Sequence, residues 1–255
     1  MPVSSSQHTS LLIRVSRFFW PLFLVFSGIG LVVMPLDLGE AQARDWIVNE
    51  SLRNVVIRFL SMSDAIWMVL AAVNAYFWVV ASEGLRTARK WGAIILVGSA
   101  VLEWIGAKTG FPFGPYVYTD RIGLRLAGVL PFTIPLAWFI IITCSRAMVL
   151  RAFPRANSWQ LALGVGTLAL LTDLNLEFVA WKVRAYWIWY PDQLPTPAWP
   201  PIQNYASWFL AAMVFSLCLR EDRMISPERS SWKPWIILGS MNLIFFAVHV
   251  VRWLE

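Results

Sequence analysis

The chain of 255 residues is 58% hydrophobic and only 14% charged, and its mean hydropathy is +0.59. Soluble globular domains are about 45–50% apolar and about 25% charged, so this composition excludes an ordinary soluble domain and predicts a polytopic membrane protein. The net charge of +6 lacks the basic patch with interleaved aromatics of a nucleic-acid-binding surface. No spacing of His and Cys indicates a metal site. Cys144 and Cys218 fall inside apolar runs and are expected to be small hydrophobes.

Seven apolar runs approach the length of about 20 residues that crosses a bilayer. The predicted fold is therefore an all-α, polytopic transmembrane helix bundle with about seven spans and no sheet of consequence. We expect a single integral membrane domain over residues 1–255. The amphipathic segment 44–60 predicts either a surface helix or an extension of the second span. The predicted spans are 15–35, 60–82, 89–107, 129–150, 158–181, 203–220 and 233–253.

Basic residues near the span ends favour a cytoplasmic N-terminus. Of the 21 Lys and Arg residues, twelve lie in the N-terminal segment or in the second, fourth and sixth loops, and nine lie on the opposite side. The N-terminal stretch lacks the charged start and the small-residue cleavage site of a secretory signal, so we expect a short tail leading into a retained first helix. The predicted location is the cell membrane, with multiple crossings.

Three carboxylates inside apolar spans are the strongest functional signal. Glu103 lies in the third predicted span, and Asp173 and Glu177 lie four residues apart in the fifth, with Asn175 between them. A charge at the bilayer centre costs about 2.5–3.5 kcal/mol on insertion scales, so such residues usually face a cavity and carry function. Asp173 and Glu177 share a helix face, where two poorly solvated carboxylates cannot both ionise easily. This predicts one protonated acid and one carboxylate, the pairing of general acid–base catalysis; a structural pair bonded to Arg or backbone is the alternative.

The polar residues of several spans converge on one side of the membrane. Odd-numbered spans end where even-numbered spans begin, which brings Glu103 near the carboxylate pair of the fifth span. Glu103 is either a partner in that site or the counter-ion of Lys108 or Arg125. Asn204, near the start of the sixth span, is either a helix cap or a hydrogen-bonding site residue. For Asp64, near the start of the second span, a helix cap is the better interpretation.

Two loops rich in Gly, Pro and aromatic residues, 107–124 and 182–202, open onto the same side. Such loops either roof an apolar cavity or are ordinary interfacial aromatic loops. Trp faces stabilise cations best among side chains, which makes Trp181 the first candidate for that role and Trp104 or Phe111 the next. The predicted substrate-binding residues are Trp104, Phe111, Phe113, Tyr116, Tyr118, Trp181, Trp187, Asn175 and Asn204.

A series of short motifs runs through the middle of the chain. In order they are Glu103, GFPFGPYVYT (110–119), LPFTIPLAW (130–138), TDLNLEFVAW (172–181), YWIWY (186–190) and PIQNYASWF (201–209). In this order the chain resembles the membrane-integral carotenoid end-group hydratases, the bisanhydrobacterioruberin hydratase family. The resemblance covers roughly residues 95–210. FPFGPYVYT and PLAW are fairly specific together and weak singly.

The resemblance implies a hydro-lyase of carotenoid biosynthesis, which adds water to a terminal C=C bond of a long polyene and gives a tertiary alcohol. It implies no metal and no organic cofactor. The implied partners are the polyene, water and the lipid bilayer, with other carotenoid-pathway enzymes as candidates and no nucleic acid. Glu103, Asp173 and Glu177 fit as catalytic residues because protonating an unactivated alkene needs an acid, and a neighbouring carboxylate can orient water and take its proton.

Two other functions fit parts of this pattern. A membrane-bound carotenoid cyclase or isomerase would use the same acid and cation but end with proton loss. A small-molecule transporter belongs to a different class and would more often show pseudo-symmetric repeats, which we do not find. A retinal protein would need a Lys within its last helix, and the last predicted span holds only Lys233, at its start.

Overall fold

Long helices make up most of the protein. A computed structural model describes residues 5–195, 197–219 and 231–255, together with their side chains except those of 5–14, 40 and 41. A π-helical turn, Val179–Val183, continues α6, and a 3-10 turn covers Asp120–Ile122. The helices are α1 (Ser5–Val33), α2 (Glu40–Trp46), α3 (Glu50–Glu83), α4 (Leu85–Thr109), α5 (Thr133–Ala152), α6 (Ser158–Phe178), α7 (Ile202–Cys218) and α8 (Lys233–Leu254).

Six helices of the described chain are long and apolar enough to cross a membrane: α1, α3, α4, α5, α6 with its π turn, and α8. At 17 residues, α7 is apolar but slightly shorter, at the lower limit of about 17 residues for a spanning helix. The chain is thus a multi-pass membrane protein. The predicted all-α class is confirmed, and about seven spans agrees with the helices observed. Three basic residues used to predict orientation, Arg220, Arg223 and Arg229, lie outside the described residues, as do residues 1–4.

The start of α3 decides between the two predictions for segment 44–60. Asn49 caps this helix, because its side chain accepts a hydrogen bond from the backbone N–H of Leu52. Most of the segment, from Glu50 onward, therefore extends the second span. The cap predicted at Asp64 is wrong, since Asp64 lies in the interior of the 34-residue helix.

Two short antiparallel strand pairs stand among the helices. Strand β1 (Tyr116–Tyr118) pairs with β4 (Trp187–Trp189), and β2 (Arg125–Leu126) pairs with β3 (Leu130–Pro131). These sheets of two or three residues per strand agree with the prediction of no sheet of consequence. The β1–β4 pair nevertheless joins the two aromatic loops, which the sequence did not predict. Side chains alternate along a strand, so the two Tyr of β1 and the two outer Trp of β4 share the buried face.

The middle of the bundle is formed by α5. Its residues Trp138, Ile140, Ile141 and Ile142 are fully buried, whereas the Val15–Val33 part of α1 is mostly exposed. Helices α6 and α7 pack closely at Gly166. A Cβ atom there would lie 2.9 Å from the backbone oxygen of Phe209 and 2.8 Å from Cγ of Met213. A small residue at a membrane helix interface lets two backbones approach.

Gly166→Ala should lower the free energy of unfolding by about 1–3 kcal/mol, the usual effect of overpacking a well-packed interface. Gly239→Ala is the matched control, because nothing lies within 4 Å of a Cβ at this exposed α8 position. Since Ala favours a helix more than Gly, the control should not lose stability. Thermal unfolding in detergent measures both variants; equal melting temperatures would contradict close packing at Gly166.

Candidate active site

One cavity brings together residues from seven helices and from the β1–β4 pair. Its volume is about 1490 Å³, open mouth included, and most of its wall is apolar. Ile29 of α1 and Phe59 of α3 line it and are each about half exposed, which marks the side where the cavity is open. The polar and aromatic part of the wall includes Asp64, Glu103, Tyr116, Tyr118, Glu177, Arg184, Tyr186, Trp187, Trp189, Asn204 and Trp208.

Glu103 is buried on α4 and accepts three hydrogen bonds from aromatic side chains. The phenols of Tyr116 and Tyr118 donate to Oε2 at 2.8 and 2.6 Å, and the indole Nε1 of Trp138 donates to Oε1 at 2.8 Å. Burial, and then the charge of Glu103, raise the pKa of both tyrosines above the usual value, so the phenols remain hydrogen-bond donors. These three neutral donors satisfy a carboxylate that forms no ion pair with any Arg or Lys of the described residues.

Gly106 allows β1 to lie this close to α4. It stands almost one turn after Glu103, and a Cβ atom there would be 2.7 Å from Cδ2 of Phe113 and 2.9 Å from the phenol oxygen of Tyr116. The absence of a side chain at Gly106 therefore gives Tyr116 room to reach the carboxylate.

The carboxylates of α6 are joined through Asn204 of α7. The Asn204 Nδ2 group donates to Oδ2 of Asp173 and to Oε1 of Glu177, each at 2.9 Å. Oε2 of Glu177 also accepts from Nε1 of Trp189 at 2.9 Å. Glu177 lines the cavity. Asp173 lies one turn earlier and is fully buried, and no described residue forms a hydrogen bond with its Oδ1.

No cation balances this cluster: among the described residues, no Lys, Arg or His forms an ion pair with Glu103, Asp173 or Glu177. Nor do any three His, Cys, Asp or Glu residues in the described ranges form a group that could hold a metal ion. Three negative charges close together in an apolar interior are strongly disfavoured. A proton on one of the three carboxyl groups would relieve this repulsion and would place an acid beside the cavity.

An indole stack lies next to Glu103. Trp138, which donates to that carboxylate, stacks on Trp208 with ring centroids 4.3 Å apart and an interplanar angle of 18°. Trp208 stands one turn after Asn204 on α7 and lines the cavity. A π face next to a carboxylate is suited to a positive charge.

A second polar cluster anchors β4 to α3. Asp64 Oδ2 accepts hydrogen bonds from the guanidinium of Arg184 and from the phenol of Tyr186, the latter at 2.6 Å. Burial first, and then the charge of Asp64, raise the pKa of Tyr186 well above its usual value, so this phenol also stays a donor. Arg184 and Tyr186 lie between the π turn of α6 and β4. Such π turns occur frequently at functional sites.

Comparison with known proteins assigns the chain to a family. A family model described as "carotenoid biosynthesis protein" matches residues 63–254, a range that contains every polar residue of both clusters. The chain belongs to the carotenoid biosynthesis protein family. The bisanhydrobacterioruberin hydratase of Haloarcula japonica is 34% identical over 116 residues, which is 44% of this chain and 38% of that protein. The match thus spans well under half the length of this relative. No solved structure matches the chain.

This carotenoid biosynthesis protein brings together most of the residues predicted from its sequence. Glu103, Glu177, Phe113, Tyr116, Tyr118, Trp187 and Asn204 line the cavity, and Asp173 adjoins it through Asn204. Of the two alternatives for Glu103, it joins the site and pairs with neither Lys108 nor Arg125. Asn204 makes site hydrogen bonds and does not cap α7, because Pro201 holds the cap position and no side chain bonds there.

Four predicted binding residues lie outside the cavity of this carotenoid biosynthesis protein. Trp104 lines a separate shallow groove on another face of α4, and Phe111 is 73% exposed. Trp181 packs under the ammonium of Lys182, 3.3 Å from its ring centroid. Asn175 donates to the backbone oxygen of Asn242 on α8 at 2.8 Å, which joins two helices.

Several cavity residues were missed by the sequence prediction. Trp208 lies one helical turn after Asn204, inside the motif PIQNYASWF, but no role was assigned to it, and Asp64 was interpreted as a helix cap. The alternating patterns YVY and WIW were a usable signal, because a period of two with aromatics on one face is typical of paired strands.

Breaking the Asp64–Arg184 pair should destabilise the protein more than breaking an exposed pair. Asp64→Asn and Arg184→Gln should each lower the free energy of unfolding by about 1–3 kcal/mol, because the remaining partner stays largely buried without its counter-charge. The double variant should lose less than the sum of the two. Arg252→Gln, in a pair with the exposed Asp37, is the control and should change stability by about 1 kcal/mol or less. Additive losses in the double variant would contradict a coupled pair.

Proposed function

We propose that this protein is a carotenoid hydratase, a hydro-lyase that adds water to a terminal C=C bond of a linear carotenoid and gives a tertiary alcohol. The observation that carries the proposal is a pair of buried carboxyl groups, Glu103 and Glu177, in an aromatic-lined cavity of an apolar helix bundle. Family membership and the partial match to a protein named as a hydratase support it. Adding water leaves the overall oxidation state unchanged, so the proposal requires no redox cofactor.

Glu177 is the residue we assign as proton donor. It reaches the cavity, and its neighbour Asp173, on the same helix face, opposes a second negative charge. Asn204 holds both carboxyl groups through one amide, which fixes the direction of the Glu177 carboxyl group. A protonated carboxyl group in this position can transfer its proton to the inner carbon of a terminal trisubstituted alkene.

Glu103 and Trp208 are assigned to the cation that this proton transfer creates. Glu103 receives three hydrogen bonds, which stabilise its ionised form and make it the fixed negative charge of the site. The face of Trp208, backed by the stacked Trp138, supplies π density beside it. The tertiary cation would thus form between Glu177, which has donated its proton, and the ionised carboxylate of Glu103.

The substrate and the membrane setting follow from the same cavity. A long polyene can place its end group among the aromatics while the rest of the chain extends along the apolar wall. We propose the polyene, water and bilayer lipid as the partners, and other enzymes of the same pathway as candidate partners. We further propose that the protein, one domain over residues 1–255, resides in the cell membrane with its N-terminus in the cytoplasm.

Glu177→Gln should lower hydration at least about a hundredfold, the usual effect of removing a general acid. Gln keeps the shape and can still accept from either Trp189 or Asn204 through its one carbonyl oxygen, but it has no acidic proton. The test is expression in a host that makes a linear carotenoid such as lycopene, followed by mass analysis of the pigments. Hydration adds the mass of one water per end, whereas cyclisation or isomerisation adds none.

Glu50→Gln is the control for this experiment, since Glu50 is an exposed carboxylate in the first turn of α3. It should produce hydrated pigment at the wild-type level. Wild-type cells that accumulate a cyclised or isomerised pigment instead would show that the cation loses a proton and that the hydratase proposal is wrong. Normal hydration by Glu177→Gln would show that another group is the acid.

Trp208→Leu should reduce turnover about tenfold or more while the substrate still binds, because it keeps the wall apolar and removes the π face. Trp181→Leu is the matched control. It removes a buried indole that lies outside the cavity, so turnover per folded protein should be unchanged. The measurement is kcat and KM with detergent-solubilised protein and a linear carotenoid. A larger loss in Trp181→Leu than in Trp208→Leu would contradict the assignment.

A further inference from the structure

The indole N–H of Trp187 is a buried donor that forms no hydrogen bond with the described residues. Trp187 is 7% exposed and lines the cavity, and in the part of the chain that the structure describes its Nε1 has no hydrogen-bond acceptor. Trp189, two residues later on the same face of β4, donates its N–H to Glu177. Buried donors in proteins are nearly always paired, and an unpaired donor in a cavity wall indicates that a ligand or a water supplies the acceptor.

Neighbouring polar atoms are already engaged elsewhere. The ring of Tyr118 meets Trp187 edge-on at 6.2 Å, and its phenol donates to Glu103. The phenol of Tyr186, the residue before Trp187, donates to Asp64. The Trp187 N–H lies near enough to the Glu177 carboxyl group to interact with it, but without the geometry of a direct hydrogen bond.

From this arrangement we infer that Trp187 holds the water that attacks the cation. The inference rests on the proposed hydratase function and assigns to Trp187 a catalytic role in it. The water oxygen accepts from Nε1 of Trp187, and one of its hydrogens is donated to the Glu177 carboxylate. Its second lone pair then remains free for bond formation.

One carboxyl group, that of Glu177, both donates the proton and takes one back, so the reaction returns it to its starting state. Glu177 transfers its proton to the inner alkene carbon, the π bond breaks, and the outer carbon becomes a tertiary cation. The oxygen of the held water forms a C–O bond to that carbon, and the proton that the water loses returns to Glu177. The products are the tertiary alcohol and Glu177 in its starting state. Trp187 is thus required for water addition but not for proton addition.

This separation of the two steps can be measured in deuterated water. The wild-type protein in detergent is incubated with lycopene in D₂O, and both the alcohol and the recovered polyene are analysed by mass. Trp187→Phe should lower alcohol formation at least about tenfold, on the scale of losing one hydrogen bond to a reacting group. In this variant the polyene cation should lose a proton instead of adding water. The recovered polyene or its double-bond isomer should therefore gain deuterium from the solvent. Glu177→Gln should show neither alcohol nor deuterium.

A shape-preserving variant guards against a folding effect. Replacing Trp187 by its benzothiophene analogue removes the N–H and keeps the ring, and it should behave as Trp187→Phe does. Trp235→Phe is the matched control, because it also removes a buried indole N–H without a partner, on α8 and outside the cavity. It should hydrate normally.

The outcomes separate this inference from the function on which it rests. If the wild-type protein forms no alcohol, the hydratase proposal fails. If the wild type forms alcohol and the benzothiophene variant does so at the same rate, the assignment of Trp187 is wrong while the function stands. Equal loss of alcohol and of deuterium uptake in that variant would also overturn it, since Trp187 would then act before or during proton transfer.

Discussion

The site is organised by the need to bury three carboxyl groups in an apolar bundle, none of them in an ion pair with the residues that the structure describes. Arg and Lys are the usual partners of buried carboxylates, and the Asp64–Arg184 pair follows that rule. Around Glu103 and Glu177 the donors are instead phenols, indoles and one amide. Neutral donors stabilise a carboxylate without cancelling its charge. A cationic intermediate beside these two carboxyl groups would therefore meet a negative field, since no Lys, Arg or His of the described residues pairs with either group.

The β1–β4 pair is the part of the fold that makes this possible. Its buried face carries four aromatic rings in register, Tyr116 opposite Trp189 and Tyr118 opposite Trp187. The two Tyr reach the carboxylate of α4, and Trp189 reaches that of α6. Six residues of strand thus connect two helices whose carboxyl groups are far apart in sequence, and Asp64 fixes the end of the pair to a third helix through Tyr186. Loop residues positioned by a rigid scaffold commonly carry function in this way.

How much of this could be predicted from the sequence depends on the kind of signal. Glu103, Asp173 and Glu177 were recognisable because charges are rare in apolar spans. Trp104 lies outside the cavity because a residue adjacent to Glu103 points to another side of the helix. Trp181 lies outside it for a different reason. It stands four residues after Glu177 and would share its face in a regular α-helix, but the π turn at Val179–Val183 changes the winding. Trp138 and Trp208 stand inside the motifs LPFTIPLAW and PIQNYASWF, but their stacking beside Glu103 is a tertiary contact that no local pattern predicts.

The opening of the cavity beside α1 and α3 has a consequence for how such a protein would meet its substrate. Ile29 and Phe59, two apolar side chains that are each about half exposed, border the opening on α1 and α3. A polyene that enters there would diffuse in the plane of the bilayer and would not pass through water. The quantity that sets occupancy would then be the mole fraction of pigment in the lipid rather than its concentration in solution. Diluting the same vesicles with buffer would leave the reaction rate per protein unchanged, whereas fusing them with pigment-free lipid would lower it.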